Sequence, residues 1–142
     1  MQLACFVHVT ALGLGLGVSV AMPEARAAAA GVSGYQGAWL LSGRDCADVY
    51  PSSGKGTSFK RPLDLFAPAF IVAGNRLRTP GASCRIASIK PAGDRQILML
   101  DCANAVSASE VRVFLAVSPN GSLKRYYSEQ DPTGVEYQRC SR

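Results

Sequence analysis

The sequence predicts an all-β fold, a small antiparallel β-barrel of about eight strands, for the part of the chain after residue 30. No segment there repeats apolar residues at the period of a long amphipathic helix. Short apolar, β-branched or aromatic runs recur instead, and Gly, Pro, Asn or Asp separates most of them. Short strands at such spacing are typical of small antiparallel barrels and sandwiches.

The N-terminal segment has the composition of a secretory signal peptide. Residues 3–21 carry no charged side chain and are rich in Leu, Val, Ala and Gly, and Ala25-Arg26-Ala27 has the form of a signal-peptidase site. No basic residue precedes the apolar run, so a transmembrane anchor is the alternative, but no basic stop-transfer cluster follows it. We predict a signal peptide over residues 1–27 and a single barrel domain over residues 28–142. The protein is then periplasmic or secreted, with no stable membrane anchor after cleavage.

Nine runs are candidate strands, and explicit turn signals lie between several of them. Gly74-Asn75 is a two-residue hairpin signal, and Asn120-Gly121 is the strongest short signal of this kind. Residues 131–134, Asp-Pro-Thr-Gly, are typical of a four-residue turn. The candidate strands are residues 35–42, 57–61, 69–73, 76–79, 84–90, 95–102, 110–117, 122–128 and 135–140.

The segment SGRDCADVY, residues 42–50, is the best candidate for helical structure after residue 30. Ser42 can cap a helical turn, and Asp45 follows three residues later, in an arrangement similar to a capping box. We therefore predict a short helical turn near residues 43–49.

The cysteine content indicates disulfides. Cys5 lies in the predicted signal peptide, so four cysteines remain, and an even number in a small exported domain indicates disulfide bonds. A zinc site is the alternative, but it requires closely spaced ligands such as Cys-x-x-Cys, which the sequence lacks. We therefore predict two disulfides and no metal site. The four cysteines are Cys46, Cys84, Cys102 and Cys140.

The stretch SCRIASIKPAGDRQILMLDC, residues 83–102, predicts a hairpin closed by one of these disulfides. Directly opposed residues in an antiparallel pair lie at distances that disulfides accept. A register chosen only for the cysteines also produces an opposite-charge pair and several apolar pairs, which stabilise sheets. Its pairs are Cys84–Cys102, Arg85–Asp101, Ile86–Leu100, Ala87–Met99, Ser88–Leu98 and Ile89–Ile97.

The second disulfide follows by elimination and joins Cys46 to Cys140, which ties the first strand region to the last. A duplicated unit, with Cys46 bonded to Cys84 and Cys102 to Cys140, is the alternative. DCADV at 45–49 and DCANAV at 101–106 suggest such a unit, but the similarity does not extend beyond them.

The sequence after residue 27 lacks residue types on which common enzyme mechanisms depend. The only histidine, His8, precedes the predicted cleavage, which excludes a histidine triad or general base. Paired cysteines leave no thiolate nucleophile. SSGKGTSF at 52–59 departs from a P-loop, because Val49 and Gly56 occupy the positions of its first glycine and its Ser/Thr. We predict no enzymatic activity and no cofactor. A hydrolase based on two carboxylates is the remaining catalytic alternative.

Basic residues are the candidate ligand-binding groups. The net charge is +5, and the predicted cleavage removes one acidic and one basic residue. Lys55, Lys60 and Arg61 flank one loop, and Arg76 and Arg78 share one face of a strand. These five residues form a candidate anion-binding patch, with solvated loops and strand faces as the alternative. The predicted partner is an unknown anionic ligand or envelope protein. Nucleic acid is not expected for an exported chain without a basic aromatic motif.

Aromatic residues are assigned to the core. Trp39 is the only tryptophan and is expected to anchor the core. Lys124, Arg125, Tyr126 and Tyr127 form a second basic and aromatic stretch. Strand alternation predicts that one of its two tyrosines faces inward, which favours packing over a binding platform.

GAW at 37–39, followed by hairpins, resembles the Gly-x-Trp opening of lipocalin-like barrels, and most of the sequence after residue 27 looks similar to small exported bacterial proteins of unassigned function. TGVEY at 133–137 resembles the Ser-Gly-x-x-Tyr segment of periplasmic inhibitors of C-type lysozyme, with Thr133 in place of the serine. These resemblances imply a barrel and no particular activity. We predict a non-enzymatic exported binding or interaction domain. A lysozyme-inhibitor-like protein that acts by loop insertion is the alternative, and the carboxylate hydrolase comes third.

Overall fold

A computed structural model of the chain describes residues 31–51 and 58–140. Eight antiparallel strands form a closed barrel in sequence order, and β8 pairs with β1 to complete it. The predicted all-β barrel is therefore confirmed. The elements are α1 Val32–Tyr35, β1 Gly37–Leu41, α2 Cys46–Val49, β2 Ala69–Ala73, β3 Arg76–Arg78, β4 Ser83–Ala92, β5 Arg95–Ala103, β6 Ala108–Val117, β7 Leu123–Tyr126 and β8 Val135–Arg139.

Two strand predictions need correction. The candidate strand at 57–61 is wrong, because residues 58–61 form no strand and residue 57 lies outside the described residues. Phe59 is the only large apolar side chain of that run, and it stacks on Tyr50 with ring centroids 5.6 Å apart. Tyr35, expected to begin the first strand, belongs to α1 instead. The short run around Phe59 thus has the composition of a strand, but Phe59 packs on Tyr50 and residues 58–61 have no hydrogen-bonded partner strand. Pro62, which follows the run, has no backbone N–H to donate to a sheet.

The predicted helical turn is present as α2, but its cap differs from the prediction. Asp45 caps the helix, and its Oδ1 accepts a hydrogen bond of 2.9 Å from the backbone N–H of Ala47. Ser42 does not cap it, because Ser42 directly follows β1 and its backbone N–H is bound to the Glu136 carbonyl of β8 at 2.9 Å. The helix can begin only after the chain has left the sheet.

The barrel has an inner core and a smaller outer core. Trp39, Phe70 and Leu98 belong to the buried cluster inside the barrel. The opposite faces of β1 and β2 are also buried, because α2 and the segment around Phe59 cover them. Strands buried on both faces have continuous apolar runs instead of alternation, which explains AWLL in β1 and AFIV in β2.

Both predicted disulfides are confirmed. Cys84 and Cys102 face each other across β4 and β5 and are bonded. Cys46, at the start of α2, is bonded to Cys140, which follows β8. The alternative pairing of a duplicated unit is therefore wrong.

The predicted hairpin register holds only near the cysteines. Arg85 faces Asp101 and Ile86 faces Leu100, as predicted. Beyond them the register shifts by one residue at a β-bulge around Ala87, so the predicted pairs Ala87–Met99, Ser88–Leu98 and Ile89–Ile97 are wrong. The cause lies at the turn, which has two residues, Gly93 and Asp94, with Gly93 at φ 63°. The bulge inserts the extra residue that brings the cysteines back into register.

The strands define two ends of the barrel. At one end lie α1 and the connections β2–β3, β4–β5 and β6–β7. We call this the closed end. At the other end the connections β1–β2, β3–β4, β5–β6 and β7–β8 leave the strands, and we call it the open end.

Candidate functional site

The closed end is blocked by side chains that bond to one another. Tyr35 in α1 is buried and donates its hydroxyl to Gln96 Oε1, and Trp39 Nε1 donates to the Tyr35 carbonyl at 2.8 Å. Arg139 of β8 lies with its Cζ 4.3 Å from the centroid of the Trp39 ring and donates to the Gln36 carbonyl. Burial raises the pKa of Tyr35 to about 12, so its hydroxyl stays protonated as a donor. A ligand therefore has no entry at this end.

The open end contains a cavity of about 300 Å³ inside the barrel. Apolar side chains from β2 to β6 form most of its lining, and the rest of the lining consists of small or polar residues. Pockets for small molecules are typically apolar with a few placed polar groups. The wall residues are Phe70, Leu77, Cys84, Leu100, Cys102, Val111, Val113 and Leu115, and the remaining lining residues are Thr79, Ala82, Asn104, Ser109 and Arg125.

Among the described residues that line this cavity, Arg125 alone is charged. It lies two positions after the buried Leu123 on β7, so strand alternation directs it to the barrel interior. Its Cζ lies 5.4 Å from the centroid of the Tyr127 ring. Within residues 31–51 and 58–140, no carboxylate lies within ion-pairing distance of Arg125. A partly buried guanidinium in an apolar wall favours an anionic partner.

The Cys84–Cys102 disulfide forms part of the cavity wall. It joins two neighbouring strands at the open end, where β4 and β5 lack the cover that α1 gives the closed end. The bridge restricts the separation of these strands. It also leaves the wall without a thiolate that could act as a nucleophile.

A second, outer groove of about 220 Å³ lies between α2 and the segment that leads to β2. Three carboxylates line it, but Asp45 caps α2 and Asp64 Oδ1 accepts the N–H of Phe66 at 2.9 Å. Lys60 also lines it and donates to the Ala47 carbonyl at 3.0 Å. The third carboxylate is Asp48. Two of the three carboxylates thus have structural roles in local turns.

The four described basic residues predicted to bind a ligand do not lie in one site. Lys60 and Arg61 belong to the β1–β2 connection, and Lys55 lies outside the described residues. Arg76 and Arg78 share the face of β3 opposite the buried Leu77, on the outside of the barrel. Of the four that the structure describes, only Lys60 lines either of the two cavities described above.

The predicted ligand-binding residues do not include Arg125, because the sequence interpretation assigns residues 124–127 to packing. The prediction that one of Tyr126 and Tyr127 faces inward is wrong, since neither does. Tyr126 is buried against the outer wall, with the Arg95 guanidinium 3.7 Å from its ring centroid. Tyr127 follows β7 and is 72% exposed. The alternation with Leu123 was the available signal for Arg125, but the inward face of β7 is known only once its pairing is known.

The fold and site define a closed eight-stranded barrel with one blocked end and one open apolar cavity. Comparison with known proteins gives no match, whether with protein-family models, curated proteins or solved structures. The described residues contain no group of three or more His, Cys, Asp or Glu side chains that could hold a metal ion. Of the helices in residues 31–51 and 58–140, none has the length and apolar character needed to cross a bilayer.

Proposed function

We propose that the protein is a non-enzymatic exported binding domain that takes a small apolar ligand with an anionic group into its open-end cavity. The observation that carries the proposal is Arg125, a cation without a carboxylate partner among the described residues, in a wall of apolar side chains. The cavity volume of about 300 Å³ lies at the lower end of the range for ligand pockets, which favours a small ligand.

The anionic group follows from the energetics of Arg125. Burying a guanidinium in apolar surroundings costs free energy unless an acceptor compensates it. The ring of Tyr127 offers a cation–π contact at 5.4 Å, which is weak at an exposed site. A carboxylate, sulfonate or phosphate would instead accept two parallel hydrogen bonds from the guanidinium. The apolar part of the ligand would contact Phe70, Leu100 and Val113.

The chemistry of the cavity supports binding over catalysis. Its lining holds the hydroxyls of Thr79 and Ser109, but no carboxylate, imidazole or lysine that could act as a general base beside them. Both cysteines of the wall are bonded to each other. The two disulfides are compatible with an oxidising compartment, in agreement with the proposed export.

A matched pair of fluorescent probes tests the proposal. Anilinonaphthalene sulfonate carries an apolar ring system and a sulfonate, and phenylnaphthylamine carries a similar ring system without charge. We expect Arg125→Gln to weaken sulfonate binding about tenfold or more, because a charge-assisted hydrogen bond is lost. Binding of the uncharged probe should stay unchanged, since the apolar wall is intact.

Lys124→Gln is the control variant, because Lys124 precedes Arg125 on β7 but faces away from the cavity. It removes the same unit of charge from the same strand. If both variants weaken sulfonate binding equally, or if Arg125→Gln leaves it unchanged, the cavity is not the anion site and the proposal is wrong.

A periplasmic inhibitor of C-type lysozyme is the second candidate, and one observation favours it. Leu65 and Phe66 in the β1–β2 connection are 59% and 93% exposed. Asp64 holds this turn by accepting the Phe66 N–H, so two apolar side chains are presented at a defined position for insertion into a partner. If lysozyme keeps full activity in the presence of excess purified protein, this candidate is lost.

A further inference from the structure

The first half of β6 has a sheet partner on one side only. Residues 108–115 pair with β5, whereas pairing with β7 begins at Phe114. In the described part of the chain, residues 108–113 therefore have no strand on their other side, and we call them the free edge. Residues 108–112 are exposed to solvent. An exposed edge is a template for pairing with another strand.

The direction of the backbone groups at the free edge follows from the disulfide. The Cα atoms of Cys84 and Cys102 lie 3.9 Å apart, which identifies a closely spaced pair without hydrogen bonds between β4 and β5. Because bonding alternates, Cys102 bonds to its partner Ser109 on β6. Ser109, Val111 and Val113 thus bond to β5, and Glu110 and Arg112 direct their N–H and C=O groups toward the free edge.

Apolar and charged side chains alternate along residues 110–113 of the free edge. Val111 and Val113 line the cavity, whereas Glu110 and Arg112 lie on the outer face. Neither charged residue forms an ion pair with another described residue. Glu110 lies opposite Asp101, a like charge, and Arg112 lies opposite Met99. Both charges are therefore available to pair with opposite charges on a partner strand.

Another edge of the barrel shows how pairing is prevented. Residues 88–92 of β4 pair with β5 and have no partner in β3. This stretch follows the β-bulge at Ala87 and contains Lys90 and Pro91. Bulges, proline and charged side chains, lysine above all, are among the devices by which proteins blunt an exposed edge. The free edge of β6 has no bulge, lysine or proline, and its two charged side chains, Glu110 and Arg112, are of opposite sign.

We infer that the free edge of β6 pairs antiparallel with the same edge of a second copy of this chain, with Val111 on the two-fold axis. This register sets Glu110 opposite Arg112 of the partner subunit, and symmetry produces the same charge pair a second time. Glu110 and Arg112 both direct their backbone groups outward, so they form a hydrogen-bonded pair. Val111 meets the partner's Val111 on the cavity side.

Other symmetric registers do not combine these features. An axis through Glu110 sets two carboxylates opposite each other, and an axis through Arg112 sets two guanidinium groups opposite each other. Like charges directly opposed across strands destabilise a sheet, whereas opposite charges stabilise it. The dimer then joins two barrels through one continuous sheet, with the two cavities side by side, because Val111 and Val113 line both the edge and the cavity.

Charge reversal tests the inference. The monomer–dimer equilibrium of the purified exported protein is measured by sedimentation velocity over a concentration series. We expect Glu110→Arg and Arg112→Glu each to raise the dimer Kd about tenfold, because each turns two attractive pairs into repulsive ones. The double variant should restore dimerisation to near its original level. Lys90→Glu, on the β4 edge, is the control and should change nothing.

Crosslinking tests the register independently. Directly opposed residues of a closely spaced pair accept a disulfide, so Val111→Cys should form an intermolecular disulfide under mild oxidation. Glu110→Cys should not, because position 110 faces position 112 of the other copy. A protein that stays monomeric at all accessible concentrations overturns the inference. So does a dimer that is insensitive to both single charge reversals, or one that crosslinks through position 110 and not through position 111.

Discussion

Arg139 lies at the closed end of the barrel and Arg125 at the open end, and the two arginines have different surroundings. At the closed end Arg139 lies 4.3 Å from the Trp39 ring centroid and donates to the Gln36 carbonyl. At the open end Arg125 has a ring contact at 5.4 Å with the exposed Tyr127 and no carboxylate partner among the described residues. The Arg139 guanidinium thus packs against protein groups at the closed end, whereas the Arg125 guanidinium at the open end has hydrogen-bond donors left for an anion. The difference supports the proposed ligand site at the open end, with the closed end as its packed base.

The largest expected effect is the loss in unfolding free energy when either disulfide is removed. Replacing Cys46 and Cys140 by serine opens a link that spans 94 positions, and replacing Cys84 and Cys102 opens one that spans 18. We expect losses in unfolding free energy of about 4.5 and about 3 kcal/mol, because the loop-entropy term grows with loop length. Urea unfolding at neutral pH measures both. An equal or reversed order would show that local strain or unfolded-state structure, and not loop length, governs the two bridges.

A smaller effect is expected at the closed end from Tyr35→Phe. The variant keeps the buried ring and removes the hydroxyl that donates to Gln96, so we expect a loss of about 1 kcal/mol in unfolding free energy. Tyr127→Phe at the open end is the matched control, and the exposure of Tyr127 predicts no measurable loss. If the control loses as much stability as Tyr35→Phe, the contrast between the two ends does not hold.

The smallest expected effect is a pH dependence from Asp131 in the β7–β8 connection. Its carboxylate accepts backbone N–H groups from Tyr127, Gly134 and Thr133, which lower its pKa from 3.8 to about 2. Because the folded-state pKa is lower than the unfolded-state pKa, the ionised carboxylate stabilises the fold fully at pH values above the unfolded-state pKa. This contribution is lost as the pH falls through the folded-state pKa.

Asp131→Asn should therefore be less stable than the original protein at neutral pH, and the difference should shrink as pH falls toward about 2. Urea midpoints at a series of pH values measure this. A difference that is constant with pH would show that the carboxylate charge has no part in holding the turn.

Much of the fold could be predicted from local pattern. The cysteines, the Arg85–Asp101 pair and the turn signals at Gly74 and Gly121 determined the hairpins. The β-bulge at Ala87 could not be predicted, because it compensates for the choice of a two-residue turn over a three-residue one. Both turns are compatible with the residues around Gly93.

The site was less predictable because it depends on which face of each strand points inward. The sequence interpretation assigns ligand binding to basic residues near turns, but two of them, Arg76 and Arg78, lie on the outer face of the barrel. Arg125 lies in a basic and aromatic stretch whose sequence does not distinguish inward from outward side chains. Only the pairing of β7 with β6 and β8 shows that the Arg125 side chain points into the barrel. The free edge of β6 is a property of strand lengths, since β7 has four residues and β6 has ten.

The contact of Arg139 with Trp39 has a consequence for the order of assembly. These residues are direct partners on β8 and β1, the two strands of the barrel farthest apart in sequence. A partly assembled sheet that lacks β8 leaves the ring face under Arg139 uncovered, and contacts between distant segments form slowly because of their loop-closure entropy. Under the proposed export, a chain that crosses a membrane from its N-terminus delivers Trp39 to the far side before Arg139. During that interval we expect the indole to present an apolar surface that the folded barrel hides.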